Sequence, residues 1–111
     1  MSNLAGVYLA RGQYAEAESL YQRALRIREQ QLVPEHPQVA ETMHDLARLR
    51  EAQGKSEEAK AWYARAFAIR TQVLDMHHPQ TTQTRTRLIA LLHTMGLHEE
   101  AAQLEMAQSE R

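Results

Sequence analysis

Apolar residues return every three to four positions along this chain instead of alternating, which is the spacing of a helix that buries one stripe. Ala17, Leu20, Tyr21, Ala24, Ile27 and Leu32 form one such stripe, and Ala59, Trp62, Tyr63, Ala66, Ile69 and Val73/Leu74 form another. Small and large residues mix on each stripe, so a neighbouring helix can approach closely at the alanines while Tyr21 and Tyr63 fill the space between. Glycines stand singly at Gly12, Gly54 and Gly96, where a helix must stop and turn. Pro37 and Pro79 stand where the next helical pattern begins, a position at which a fixed φ and a missing N–H cost nothing. These marks predict first helices over about 2 to 11, 37 to 53 and 79 to 95, and second helices over about 14 to 32, 56 to 74 and 98 to 109. Strand signals are absent.

The two stripes are copies. Shifted by 42 residues, Met1–Thr42 falls on Met43–Thr84 with 18 identities in 42, where roughly two or three are expected by chance. Leu4/Leu46, Gly12/Gly54, Glu16/Glu58, Ala17/Ala59, Tyr21/Tyr63, Ala24/Ala66, Arg28/Arg70, His36/His78, Pro37/Pro79 and Thr42/Thr84 all pair. A third, partial copy starts at Arg85 and keeps Leu88, Gly96, Glu100 and Ala101. The expected organisation is one domain with repeats at 1–42, 43–84 and 85–111. The expected fold is all-α: a right-handed solenoid of antiparallel helix pairs, about 2.6 repeats and six helices. Tyr21, Ala24, Met43, Leu46 and Ala47 are expected to meet between the first and second units.

The copies also differ. Arg50 replaces the aromatic at Tyr8, which predicts a looser first helix in the second unit. Glu105 and Gln108 replace the tyrosine and alanine of the earlier stripes, so the last helix reads as a polar C-terminal cap. Met1 aligns partway along a first helix, which suggests the C-terminal piece of a longer array. The apolar residues near Met1 then invite contact between two N-terminal ends, a homodimer about a twofold axis.

Composition narrows the functional classes. The chain has 111 residues, with 13 Lys+Arg against 14 Asp+Glu and no cysteine. A net charge of −1 leaves no bulk basic field for nucleic acid. No apolar run approaches a membrane span, and a cysteine-free chain fits the cytoplasm. The four serines lie in no nucleophile motif and no glycine-rich loop cradles phosphate, so neither an enzyme nor a cofactor is expected. Among the six histidines, His36 and His78 each precede a helix-starting proline and read as turn residues. His77 and His78 are sequence neighbours that do not naturally converge on one ion, and no metal site is expected. His44 and His93 lie on first helices, where a binding role and plain solvation are equally open. Arg23, Arg26 and Arg28, interleaved with Glu16, Glu18 and Glu29, read as a solvated outer face. Trp62 aligns with Leu20 and Leu104 and reads as a packing residue, not an exposed anchor.

The run L-A-x-x-Y-x-x-x-G-x-Y-x-E-A-x-x-x-Y-x-R-A-L-x-I-R from Leu4 to Arg28, followed by L-x-x-E-H-P from Leu32 to Pro37 and repeated in the second unit, resembles the tetratricopeptide repeats. The 42-residue unit is similar to the kinesin-light-chain subtype. That resemblance implies a protein–protein interaction scaffold whose first helices line a concave groove for a partner peptide or protein. By position it implies Asn3, Glu41, His44, Asp45, Arg48, Gln83, Thr86, Arg87 and His93 as groove residues. Related arrays hold peptide backbone with a ladder of asparagines; only Asn3 keeps that identity here, with Asp45 and Arg87 at the equivalent positions. The other readings are a structural or oligomerising spacer, and a sensor array attached to an upstream NTPase or regulatory domain.

Overall fold

The computed structural model describes residues 10–33, 36–75 and 77–109. Within them lie five helices and no strand: α1 (Tyr14–Gln31), α2 (Pro37–Ala52), α3 (Ser56–Val73), α4 (Pro79–Thr94) and α5 (His98–Ser109). The helix expected over about 2 to 11 lies almost wholly outside the described residues, as do Asn3 and the apolar end on which the homodimer expectation rests.

The chain builds each hairpin with the same two local devices. At its N-terminus, α2 is capped by His36, whose Nδ1 accepts the Gln38 backbone N–H at 3.1 Å ahead of Pro37. His78 does the same for α4, accepting from Gln80 N at 3.1 Å. The turn role expected of these two histidines is therefore a side-chain cap that satisfies one of the orphan donors of the first turn. At the other end, α2 stops in a Schellman motif: Lys55 N donates to Arg50 O at 2.8 Å and Gly54 N to Glu51 O at 3.0 Å. α4 ends identically, through Leu97 N to Leu92 O at 2.8 Å and Gly96 N to His93 O at 3.0 Å. The left-handed residue these turns require is Gly54 (φ +78°) in one and Gly96 (φ +80°) in the other, where a Cβ would strain the backbone.

The paired helices pack as adjacent layers, most extensively within the α2–α3 hairpin, to give a body of 39 × 30 × 18 Å. Two apolar clusters result. Ala17, Tyr21 and Leu25 of α1 meet Val39, Met43, Leu46 and Leu49 of α2 and Ala66 of α3. Ala59 and Tyr63 of α3 meet Leu88, Leu91 and Leu92 of α4 and Ala101 of α5. Trp62 borders both clusters, as a packing residue should, and the Arg65 guanidinium lies over its ring at 4.8 Å.

Three expectations are revised. Of the residues expected to meet, Tyr21, Met43 and Leu46 share the first cluster; Ala24 is buried but is not part of it, and Ala47 turns to the second cluster, because its place on α2 faces the helix's own hairpin partner α3. Arg50 does not loosen α2. It is buried, paired with Glu18 of α1 and lying 3.6 Å from Glu58 of α3, so the longer side chain ties three helices where an aromatic would have packed. Arg28 is not a solvated outer residue like its neighbours Arg23 and Arg26. From the last turn of α1 it reaches the start of α2, donating to Gln38 O and Thr42 Oγ1, both at 2.8 Å.

Candidate partner-binding groove

The 42-residue identities of the sequence converge on one hydrogen-bonded joint between successive repeats. Arg70, at the end of α3, donates to Gln80 O at 3.1 Å and to Thr84 Oγ1 at 2.7 Å, repeating what Arg28 does with Gln38 and Thr42. Thr81 Oγ1 closes the joint by donating to Arg70 O at 3.2 Å. Burial lowers the Arg70 pKa from its usual value, and the nearby Glu41 and Asp45 carboxylates oppose that shift.

This joint sets the floor between α2 and α4. His44 of α2 projects onto it, with Nδ1 3.0 Å from Thr84 Oγ1 and its ring edge-on to Tyr63 at 5.4 Å. Thr84 donates its own proton to Gln80 O at 3.2 Å, so His44 Nδ1 must be the donor to it. The remaining lone pair, on Nε2, is buried without a partner. Burial, reinforced by Arg70, Arg87 and Arg48, pushes the His44 pKa down to about 3, and the ring is neutral.

At the next residue the polarity reverses. Asp45 is half-buried beside Glu41, and its pKa is pushed up to about 6 by burial first and by the Glu41 charge second; Arg48, Arg70 and Arg28 pull the other way. Glu41 itself lies 3.9 Å from Arg28. Beyond Asp45, α2 and α4 together line an open depression of about 300 Å³ formed by Arg48, Glu51, Ala52 and Arg87. Its one carboxylate is already engaged, since Glu51 Oε1 accepts from the Tyr63 hydroxyl at 2.8 Å. Burial and that bond raise the Tyr63 pKa well above the usual phenol range.

The residues singled out from the sequence divide accordingly. Arg48 and Arg87 share the depression, and Glu41 and Asp45 lie farther toward the start of α2. Gln83 and Thr86 are exposed on α4. His44 is only 4% exposed, because the Thr84 hydroxyl and the Tyr63 ring hold it beneath the surface. His93 turns toward its own hairpin partner, with Nδ1 2.8 Å from His98 Nδ1 and Nε2 3.2 Å from Glu105. Arg70 and Thr84 were missed as supports of the site. Their signal was present in the Arg28/Arg70 and Thr42/Thr84 identities, which helix periodicity alone does not distinguish from surface repetition.

The tetratricopeptide repeat family model matches residues 1–72. The chain belongs to the tetratricopeptide repeat family. Its structure is similar to the nearly identical TPR-like repeats of a candidate kinesin light chain from Podosopora anserina, with 30% identity and a TM-score of 0.82 over 93% of this chain. A second crystal structure, of a point variant of that same protein, is similar to the same degree. This tetratricopeptide repeat chain spans 49% of the length of each of those solved chains. No curated protein matches it. Tetratricopeptide repeats are generally scaffolds for protein–protein interaction. Among the described residues no helix is long and apolar enough to cross a membrane.

Proposed function

We propose that this chain is a non-catalytic, cytoplasmic interaction module that takes an extended peptide segment of a partner protein along the groove between its first helices. Asp45, Arg48 and Arg87 make the polar contacts. The observation that carries this reading is the depression shared by Arg48 and Arg87, two guanidiniums lined there by a single carboxylate, Glu51, which accepts from the Tyr63 hydroxyl, with Asp45 lying beside Arg48 outside it. Such a pair favours an acidic side chain of the ligand, held by charge-assisted hydrogen bonds. Asp45, already half-desolvated, suits a backbone N–H or a lysine of the same ligand. None of the groups lining the depression is a nucleophile set against a base, which supports a scaffold over a catalyst. The chain reads as one unit of repeats at 1–42, 43–84 and 85–111, a division supported among the described residues by Trp62, which borders both apolar clusters.

Selection from a displayed random-peptide library, followed by fluorescence anisotropy on the selected peptides, tests the reading. Acidic sequences should be enriched, Arg48→Ala and Arg87→Ala should each weaken binding about tenfold, the equivalent of about 1.4 kcal/mol, and salt should weaken it further. Selected peptides that bind equally well after both substitutions would refute groove binding and favour a spacer that makes its contacts elsewhere.

A further inference from the structure

The turn between α4 and α5 carries a cluster that the groove does not use. His93 lies in the last turn of α4 and His98 opens α5. The Gly96 turn folds them together until their Nδ1 atoms are 2.8 Å apart, with ring centroids separated by 5.0 Å and planes inclined at 35°. On the far side of the His93 ring, Glu105 Oε1 sits 3.2 Å from Nε2. We propose that His93 and His98 form a two-imidazole site for a divalent ion of the zinc class, both ligating through Nδ1, with Glu105 as the positioning residue that orients His93.

The hydrogen bonding supplies the first argument. A carboxylate accepting from Nε2 fixes the proton of a neutral His93 there and leaves the lone pair on Nδ1, aimed at His98. Moving the His98 proton to its own Nε2 presents a second lone pair to the same point without a net loss of protons. A carboxylate behind a ligating imidazole is the usual outer-shell arrangement of histidine metal sites. Distance supplies the second argument. Two nitrogens bound tetrahedrally at about 2.0–2.1 Å lie about 3.3 Å apart. Opening the present 2.8 Å separation by about half an ångström takes only small rotations of two exposed rings.

The preceding hairpin shows that the scaffold dictates this meeting. Forty-two residues earlier the positions of His93, His98 and Glu105 are held by Glu51, Ser56 and Tyr63. There the Tyr63 hydroxyl bridges to Glu51 at 2.8 Å across a turn with the same Schellman bonds. The third unit keeps the bridge, exchanges its chemistry for an imidazole and a carboxylate, and places a second imidazole where Ser56 stood. Among the described residues no set of three His, Cys, Asp or Glu side chains converges, so the protein supplies two ligands and water completes the sphere. Imidazole ligands select zinc, nickel and copper over magnesium and calcium, which prefer oxygen. A bound ion would clamp the end of α4 to the start of α5.

Titration calorimetry and thermal melts of the intact chain with zinc chloride, and in parallel with magnesium chloride, test the assignment. We expect one saturable zinc per chain, a melting temperature that rises with zinc, and no response to magnesium. His93→Gln and His98→Gln should each lower zinc affinity at least tenfold, His77→Gln should leave it unchanged, and Glu105→Gln should lower it about tenfold or more at unaltered stoichiometry. Far-UV circular dichroism of each variant verifies that it is folded. Absence of saturable zinc binding, or wild-type affinity in a folded His93→Gln/His98→Gln double variant, would overturn the site; wild-type affinity in Glu105→Gln would overturn the positioning role.

Discussion

Two buried arginines of this chain should respond to the same substitution in opposite directions. Arg85 is 3% exposed on α4, and its Nη1 is buried without a hydrogen-bond partner. Forty-two residues earlier the same register is held by Met43, 2% exposed within the first apolar cluster. An interior donor left unpaired costs about 1–3 kcal/mol, and more when it belongs to a charged group. Exchanging buried ionic side chains for apolar ones of similar volume commonly gains about 1–4 kcal/mol. Methionine keeps an unbranched stem that adapts to the space vacated, so Arg85→Met should stabilise the fold by about 1–3 kcal/mol. At about 4 °C per kcal/mol for a domain of this size, the melting temperature should rise by about 4–12 °C. Arg70→Met is the counterpart. Arg70 is 2% exposed and its Nε is also unpartnered, but its Nη1 donates to Gln80 O and Thr84 Oγ1, so its loss should destabilise by about 2–4 kcal/mol. Urea unfolding followed by circular dichroism and by Trp62 fluorescence reads both, and a shifted midpoint with an unchanged slope reports stability alone. An Arg85→Met variant less stable than wild type would refute the reasoning, because it would mean that the buried guanidinium is a net source of stability despite its unpaired donor.

Other outcomes follow from the same packing. Ala24 is buried at 4% exposure, so Ala24→Leu should overpack it at a cost of about 1–3 kcal/mol, whereas Arg26→Ala on the exposed face should stay within about 0.5 kcal/mol of wild type; equal urea midpoints would contradict the assignment of faces. Thr84→Val removes the acceptor shared by Arg70 and His44 and should destabilise by about 2–4 kcal/mol, more than Thr82→Val on the same helix, in paired thermal melts. Acidification should act through two opposed groups. His44 stays neutral in the fold down to about pH 3, while an unfolded histidine takes up a proton near pH 6.5, so folding stability falls as pH drops through that interval. Asp45 holds a proton in the fold from about pH 6 downward, while an unfolded aspartate waits until about pH 3.9, so its contribution rises on acidification. The His44 shift is the larger, and urea midpoints should fall between pH 7 and pH 4.5; Asp45→Asn should steepen that fall and His44→Asn should flatten it. A steeper fall in His44→Asn would show that the ring is not held neutral.

Much of the architecture was legible because a repeat states its register twice. The periodicity of Ala17, Tyr21 and Ala24 and the single glycines at the turns are local signals, and the five described helices fall where those signals placed them. The fate of individual polar residues was less legible. Arg28 and Arg26 look alike on a helical wheel, yet one is tied to Gln38 and Thr42 while the other faces solvent, because only Arg28 lies within reach of the next helix. His44 stands at a groove position by register, but the close approach of α3 and α4 brings Tyr63 and Thr84 over it. Asp45 follows it by one residue and remains half-exposed.

By itself the sequence determined the helical class, the hairpin turns and the repeat register, since each depends on spacing within a few turns of chain and on the backbone preferences of glycine and proline. It also determined that no sulfur ligand or thiol chemistry is available from cysteine, since the chain has none. Tertiary structure alone decided which polar groups are partnered and which are exposed. Desolvation and hydrogen bonding depend on atoms contributed by three helices at once, as at Thr84, where Arg70 and His44 converge from α3 and α2. The His93–His98–Glu105 cluster arose in the same way: two residues on either side of the Gly96 turn became neighbours because that turn folds α5 back on α4, which also brings the Glu105 carboxylate to the His93 ring.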